Sequence, residues 1–239
     1  MASYKDRGII IRRNNFGEAD RRLTAYCRRD GKSILLAKGS RRPTAKLAGT
    51  VNLMNEIDFV AARTKTIDIM TEAQLVSSHD KLSAQLAKTK TAYWICELID
   101  KITDEHEPHP KLYNQLSQTL AYLEKNYSDL ALSHFIFFCL KELGYRPEIK
   151  KCARCGQPLK ALDKMLFSDE AGGVVAAPCH ASGGRSLNAD SIKAMRLLDG
   201  TLTQATHIIT SPLVRKELEK NLKLFVQYIL QRRIVSESL

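Results

Sequence analysis

The sequence has little of what marks several protein classes. With seven prolines and twelve glycines in 239 residues it is neither collagenous nor of low complexity, and six cysteines are too few for a disulfide-dense scaffold. No apolar run approaches the ~20 residues of a membrane-spanning helix. The richest stretch, Leu130 to Leu143, is interrupted by Ser133, His134, Lys141 and Glu142. The isoleucines Ile9 to Ile11 are too short a patch for the core of a signal peptide. A cytoplasmic location is therefore expected, with the cysteines serving as thiols or metal ligands. Catalytic motifs are missing as well. There is no GxxxxGK[ST] loop, GxSxG elbow or HExxH pair. The string Glu105-His106-Glu107-Pro108-His109 has the wrong order, is broken by proline, and reads as a solvated loop between two helices. A zinc deaminase needs H-x-E and P-C-x-x-C, whereas Pro178-Cys179 runs on into His180-Ala181-Ser182. The chain is read as a non-enzyme.

What is present is charge of one sign, concentrated in one place. The formal balance is +11, and residues 1 to 50 carry thirteen Lys/Arg against four Asp/Glu, so this fifth of the chain holds +9 of it. A cationic segment of that density attracts phosphate polyanions, because each neutralised phosphate releases condensed counterions. At 44% apolar and 26% charged residues the remainder matches a globular protein with an ordinary core.

The hydrophobic period changes along the chain. The runs Arg7 to Arg13 and Ser33 to Ala37 are short and aliphatic, and Asn14-Asn15, Gly17 and Asp30-Gly31 are turn signals. Asp30-Gly31, between Tyr26 and Ile34, predicts a hairpin. Two more runs, Val51 to Ala61 and Thr66 to Thr71, bring the total to about five strands within the first 75 residues, which suits a small antiparallel barrel or sandwich. From Lys81 onward apolar residues recur every three or four positions, predicting helices over Lys81–Thr103 and Pro110–Lys125. A third helix, capped by Ser128 or Asp129 and ended by Gly144 and Pro147, is apolar on most sides and expected to be deeply buried. Two more are expected at Asn188–Leu198 and from Pro212 to about Ile234. Residues 150–186 differ, with three cysteines, five glycines and no helical period. The fold class is α+β. Residues 1–79 form a nucleic-acid-binding barrel domain, and residues 80–239 form a helical domain containing the 150–186 insertion.

Cys152-Ala153-Arg154-Cys155-Gly156 is a CxxC knuckle, with Cys179 further on. Such a turn offers two thiolates to one tetrahedral ion. A second pair at the usual spacing would put cysteine at 176, where Ala176 stands, so His180 is the nearest candidate for a fourth ligand. Structural zinc on Cys152, Cys155, Cys179 and His180 stands beside a zinc-free ribbon and a redox dithiol as readings of this segment. Cys27, Cys96 and Cys139 have apolar neighbours and are expected to be buried.

The candidate nucleic-acid-binding residues are Arg12, Arg13, Arg21, Arg22, Arg28, Arg29, Lys38, Arg41, Arg42 and Lys46, with Phe16 and Tyr26 interleaved. An arginine can fork onto a phosphate or stack on a base, and an exposed ring offers a platform for unpaired nucleotides. Tyr26 suits the barrel core better. Lys38-Gly39-Ser40-Arg41-Arg42-Pro43 reads as an exposed, mobile loop of high donor density. Two other uses fit the same residues: an RNA-binding barrel, or a protein-interaction scaffold whose basic loop only solubilises it.

The AKGSRR loop at Ala37 to Arg42, and the set Cys152 to Gly156, Phe167-Ser168 and Gly172-Gly173, resemble the RecO family of bacterial DNA repair proteins, and the likeness runs along nearly the whole chain. The resemblance implies an N-terminal OB-fold, a helical domain and a zinc-ribbon-like insertion. It also implies a recombination mediator that binds single- and double-stranded DNA and anneals complementary strands. Such a protein cooperates with RecR, contacts the acidic C-terminal tail of single-strand-binding protein, and helps RecA load on coated strands. Two positions depart from the family pattern. Ala176 replaces a cysteine of the zinc set, and Val51-Asn52-Leu53-Met54 stands where a Pro-Phe pair is frequent.

Overall fold

The structure is a computed structural model and describes residues 2–42, 44–160, 165–179 and 184–231. The chain forms two compact units, divided after Asn126.

The first unit opens with five strands, β1 (Ser3–Phe16), β2 (Asp20–Cys27), β3 (Gly31–Ala37), β4 (Glu56–Ala62) and β5 (Asp68–Ser77). They close into a barrel in the order β1-β2-β3-β5-β4, with β3 and β5 parallel and the other pairs antiparallel. This is the five-stranded barrel of the OB-fold. Alternation decides which side chains enter. Leu23, Ala25 and Cys27, then Leu35 and Ala37, then Ile57, Phe59 and Ala61 point into one core together with Ile10 and Met70. Each large side chain buried there contributes about 1.5–3 kcal/mol. A register shift between Ile10 and Arg12 lets three successive isoleucines all be buried, only Ile10 of them in the barrel core.

The run read as a strand from Val51 begins only at Glu56. Val51 instead plugs the end of the barrel core with Leu47 and Leu53 beside it, and Met54 adopts a left-handed φ of 67°. The loop then rejoins β1: Met54 N–H donates to Ile10 O at 2.7 Å, and Ile10 N–H donates to Asn55 O at 3.0 Å. The run expected at Thr66–Thr71 starts at Asp68, whose carboxylate accepts the Thr64 N–H of the preceding turn, and it continues to Ser77 along β4.

Helices α1 (Leu86–Ile102) and α2 (Pro110–Lys125) complete this unit. α1 begins later than its apolar pattern, because Asp80–Ala84 forms a 3-10 turn first. Glu56, buried on β4, accepts hydrogen bonds from Tyr113 Oη at 2.6 Å and Ser117 Oγ at 3.1 Å, which ties α2 to the barrel. Gly31 sits at φ +69°, and a Cβ there would lie 2.5 Å from the Glu107 backbone, so only glycine fits this contact.

The second unit is built around α3 (Asp129–Glu142), capped by Ser128 and buried on nearly every side as its composition predicts. With it are α4 (Ala189–Leu197), capped by Asn188, α5 (Leu202–Thr206) and α6 (Pro212–Leu230). The insertion is a three-stranded sheet in the order β7-β6-β8, from β6 (Met165–Ser168), β7 (Gly173–Ala176) and β8 (Arg185–Leu187). Arg185 fastens it to α6, donating to Asp169 Oδ1 at 2.6 Å and to Asn221 Oδ1 at 2.7 Å, while Phe167 meets Phe225 edge-on at 5.3 Å. A Cβ on Gly173 would fall 2.2 Å from Glu148 O, which accounts for the second glycine of the Gly172-Gly173 pair. No described helix is long and apolar enough to cross a membrane.

Candidate nucleic-acid interface and thiol centre

The ten predicted basic residues divide into three places. Chain direction explains the first division: the β1–β2 turn and the β3–β4 loop lie at one end of the barrel, and the β2–β3 turn lies at the other. At the first end are Arg13, Arg21, Lys38, Arg41 and Arg42, with Lys46 exposed on the loop that closes it. The AKGSRR segment is a pinned turn, where the sequence suggested a mobile loop. Gly39 N–H donates to the Asp20 carboxylate at 2.7 Å, Arg41 N–H to Ala19 O at 2.9 Å, and buried Ser40 Oγ to Ala37 O at 2.8 Å. These bonds use backbone groups and the serine hydroxyl, so Lys38, Arg41 and Arg42 keep their side chains in solvent.

The acceptors of these arginines are neutral. Arg13 donates to Asn52 Oδ1 at 2.6 Å, Arg21 to Ala48 O at 3.0 Å, and Arg41 to Gly17 O at 3.1 Å. An amide oxygen orients a guanidinium without cancelling its charge. The crowding registers in Arg21, whose pKa is lowered by burial first and then by the charges of Arg13 and Arg41. Among the described residues no carboxylate pairs with Arg13, Arg21, Lys38, Arg41, Arg42 or Lys46. Phe16, on the same hairpin, is 47% exposed, whereas Tyr26 is fully buried and offers no platform.

Arg28 and Arg29 stand at the opposite end, on a groove of about 820 Å³ that also has Lys5, Asp6, Asp58 and Glu72 on its walls. The charge there is mixed. Arg7 forms a two-pronged pair with Asp58, both contacts 2.7 Å, and Asp6 accepts the backbone N–H groups of Arg7, Arg29 and Asp30. Arg12 and Arg22 occupy the third place, the outer face of β1 and β2, in a cleft of about 170 Å³ shared with Lys32, Asp100 and Glu105. Sequence reasoning passed over Asp100, one of two acids within α1. The register of α1 against the barrel puts it there, and no local pattern announces that.

In the second unit the knuckle is shaped by its backbone: Cys152 N–H donates to Gln157 O at 2.8 Å and Gly156 N–H to Cys152 O at 2.9 Å. This brings Cys152, Cys155 and Cys179 together, all sulfurs lying within 4.8 Å of one another. Sulfurs sharing a tetrahedral zinc stand about 3.8 Å apart, so the set fits three of its four ligands after a small contraction. Burial opposes ionisation of Cys152, but the N–H groups of Cys155, Ala176 and Arg154 outweigh it and bring its pKa to about 6. Cys179, hydrogen-bonded to Cys155, is held up at about 11. A shared cation is what such a trio needs in order to ionise fully. Ala176, at the end of β7, contributes only backbone there. His180 lies outside the described residues. Cys27, Cys96 and Cys139 are buried, and burial pushes each thiol up, Cys96 to about 12.

A closed five-stranded barrel with cations at one end that no described carboxylate pairs, a helical remainder and a ribbon with a thiol cluster define the class of OB-barrel proteins carrying a helical domain and a zinc-ribbon-like insertion. Two family models match the chain: "Recombination protein O N terminal" over residues 1–79 and "Recombination protein O C terminal" over residues 84–238. The chain belongs to the RecO family of DNA repair proteins. Among its relatives, the DNA repair protein RecO of Desulfitobacterium hafniense (strain Y51) is 29% identical, the match covering 100% of this chain and 89% of that one. The RecO of Roseiflexus sp. (strain RS-1) is 30% identical, over 96% of this chain and 82% of its own. That of Bifidobacterium adolescentis is 27% identical, over 99% and 98%.

Proposed function

We propose that this protein is a non-enzymatic recombination mediator that holds single- and double-stranded DNA on the cationic end of its barrel and anneals complementary strands. The observation that carries this reading is the group Arg13, Arg21, Lys38, Arg41, Arg42 and Lys46, of which Arg13, Arg21 and Arg41 are oriented by neutral acceptors and none has a carboxylate partner among the described residues. Annealing makes and breaks no covalent bond. It requires two polyanions to approach while their repulsion is neutralised, and a fixed cationic surface does that. Phe16 supplies a ring on which an unpaired base can stack. Residues 1–79 are the DNA-binding domain in this reading, and residues 80–239 support and recruit. The partners are RecR, the acidic tail of single-strand-binding protein and, through the exposed strand, RecA. The thiol cluster holds zinc in a structural role.

The test is annealing of complementary DNA strands precoated with single-strand-binding protein, with and without RecR. Annealing above the rate of the coated strands alone supports the reading. Tighter binding to RNA than to matched DNA, with no annealing, would favour an RNA-binding role and contradict it.

A further inference from the structure

The outer face of β1, β2 and β3 carries Arg12, Arg22 and Lys32, and the connection from α1 to α2 lies against it. The Lys32 ammonium donates to the Asp100 and Thr103 carbonyls, both at 2.6 Å, at the C-terminal end of α1, where the helix dipole favours a cation. Arg12 stands 3.5 Å from the Asp100 carboxylate. β5 pairs with β3 only over Leu35–Ala37, which leaves the Lys32 edge open. The connection fills it: Glu105 bridges Lys32, and His106 N–H donates to Lys32 O at 3.0 Å. The string expected to be a solvated loop is thus partly a strand-like edge cover. The result is a cleft with Arg12, Arg22 and Lys32 on one wall and Asp100 and Glu105 on the other.

We propose that Asp100 and Glu105 are specificity-determining residues: they keep a polynucleotide backbone off the outer face of β1 to β3 and confine it to the barrel end of Arg13, Arg21 and Arg41. The inference rests on the polynucleotide-binding reading and adds to it the face that binding avoids. A phosphodiester entering the cleft meets two carboxylates beside the same arginines that would attract it, and the two effects offset. Asp104 and Glu107, exposed on the same connection but not among the cleft residues, carry equal charge without the position.

The experiment is a fluorescence-anisotropy titration of a labelled oligothymidylate of about 20 nucleotides, long enough to span a barrel site. Two unit charges removed from about 8 Å of a phosphate in water-like dielectric raise the affinity of D100N/E105Q about fivefold at low salt. Engagement of two more phosphates steepens the slope of log K on log salt by about 1.4. D104N/E107Q, with the same change in net charge, gains less than half as much, and R22A costs more affinity in D100N/E105Q than in the wild type. Equal gains from the two pairs overturn the proposal, as does no gain from D100N/E105Q while the wild type binds. A wild type that does not bind the oligonucleotide overturns the reading beneath it instead. D100N removes the 3.9 Å ion pair between Lys32 and the Asp100 carboxylate, but the two shorter Lys32 bonds go to backbone carbonyls and survive the substitutions. If D100N/E105Q fails to fold, E105Q alone carries the test, with an expected gain of about twofold.

Discussion

Tyr113→Phe isolates the bond that fixes α2 on the barrel. Glu56 is buried on β4 and accepts from Tyr113 Oη at 2.6 Å and from Ser117 Oγ at 3.1 Å. Burial, then the hydrogen bond to Glu56, hold the Tyr113 phenol far above its ordinary pKa, so it stays a donor at any working pH. Removing the hydroxyl leaves a buried carboxylate with one donor in place of two. A hydrogen bond to a charged acceptor contributes about 1.5–3 kcal/mol, and with Ser117 retained the expected loss is about 2 kcal/mol. For a unit of this size that lowers the urea midpoint by about 1 M. Trp94, the only tryptophan and 2% exposed in α1, reports the first unit by its fluorescence. With Glu56→Gln in the background, the same truncation removes a bond between neutral groups and costs about 1 kcal/mol. A loss below about 0.5 kcal/mol for Tyr113→Phe, or an equal loss with and without the Glu56 carboxylate, would refute the reasoning.

Other outcomes follow from single contacts. Gly31→Ala combines a φ of +69° with a Cβ 2.5 Å from the Glu107 backbone, and should cost at least about 2 kcal/mol in the same Trp94-monitored titration. Cys152→Ser should reduce zinc measured by elemental analysis from about one ion per chain to near none, since three thiolates become two. His134 is buried on α3, with Nδ1 2.9 Å from Leu198 O, and its pKa is lowered from 6.5 by burial first, against that hydrogen bond. The unfolded chain therefore takes up the proton more readily. The second unit should be at full stability above pH 6.5 and lose stability as pH falls below it, and His134→Gln should flatten that dependence in unfolding curves followed by circular dichroism.

Much of the fold could be read in advance, and what escaped has identifiable physical causes. Alternation marked the barrel strands, and Ser128, Asn188 and Pro212 marked helix starts, because these signals are local. Val51 misled: an apolar residue before a strand was read as the strand's beginning, when it is a plug reached through a left-handed turn at Met54. The second half of β5 carries no alternation of buried apolar residues, its Leu75 and Val76 being adjacent and exposed, since it owes its conformation to pairing with β4. The thiol trio was visible because cysteine spacing is itself the signal, whereas Gly172-Gly173 stood out only through the family resemblance, and the structure supplies the reason for Gly173, where a Cβ cannot fit against Glu148. The basic residues were found as a set but not as three groups. Which end of a barrel a residue occupies depends on strand direction, and which arginines face acids depends on where α1 lies, so neither is written in neighbouring residues.

The central claim is that the cluster of cations at one barrel end holds phosphate, and the salt dependence of single-strand affinity tests it most directly. With about five phosphates neutralised by Arg13, Lys38, Arg41, Arg42 and Lys46, log K should fall against log salt with a slope near −3.5. Reversing Arg41 and Arg42 to Glu should shrink that slope by at least about 1.4. A wild-type slope near zero, or a slope and affinity untouched by the double reversal, would contradict the account.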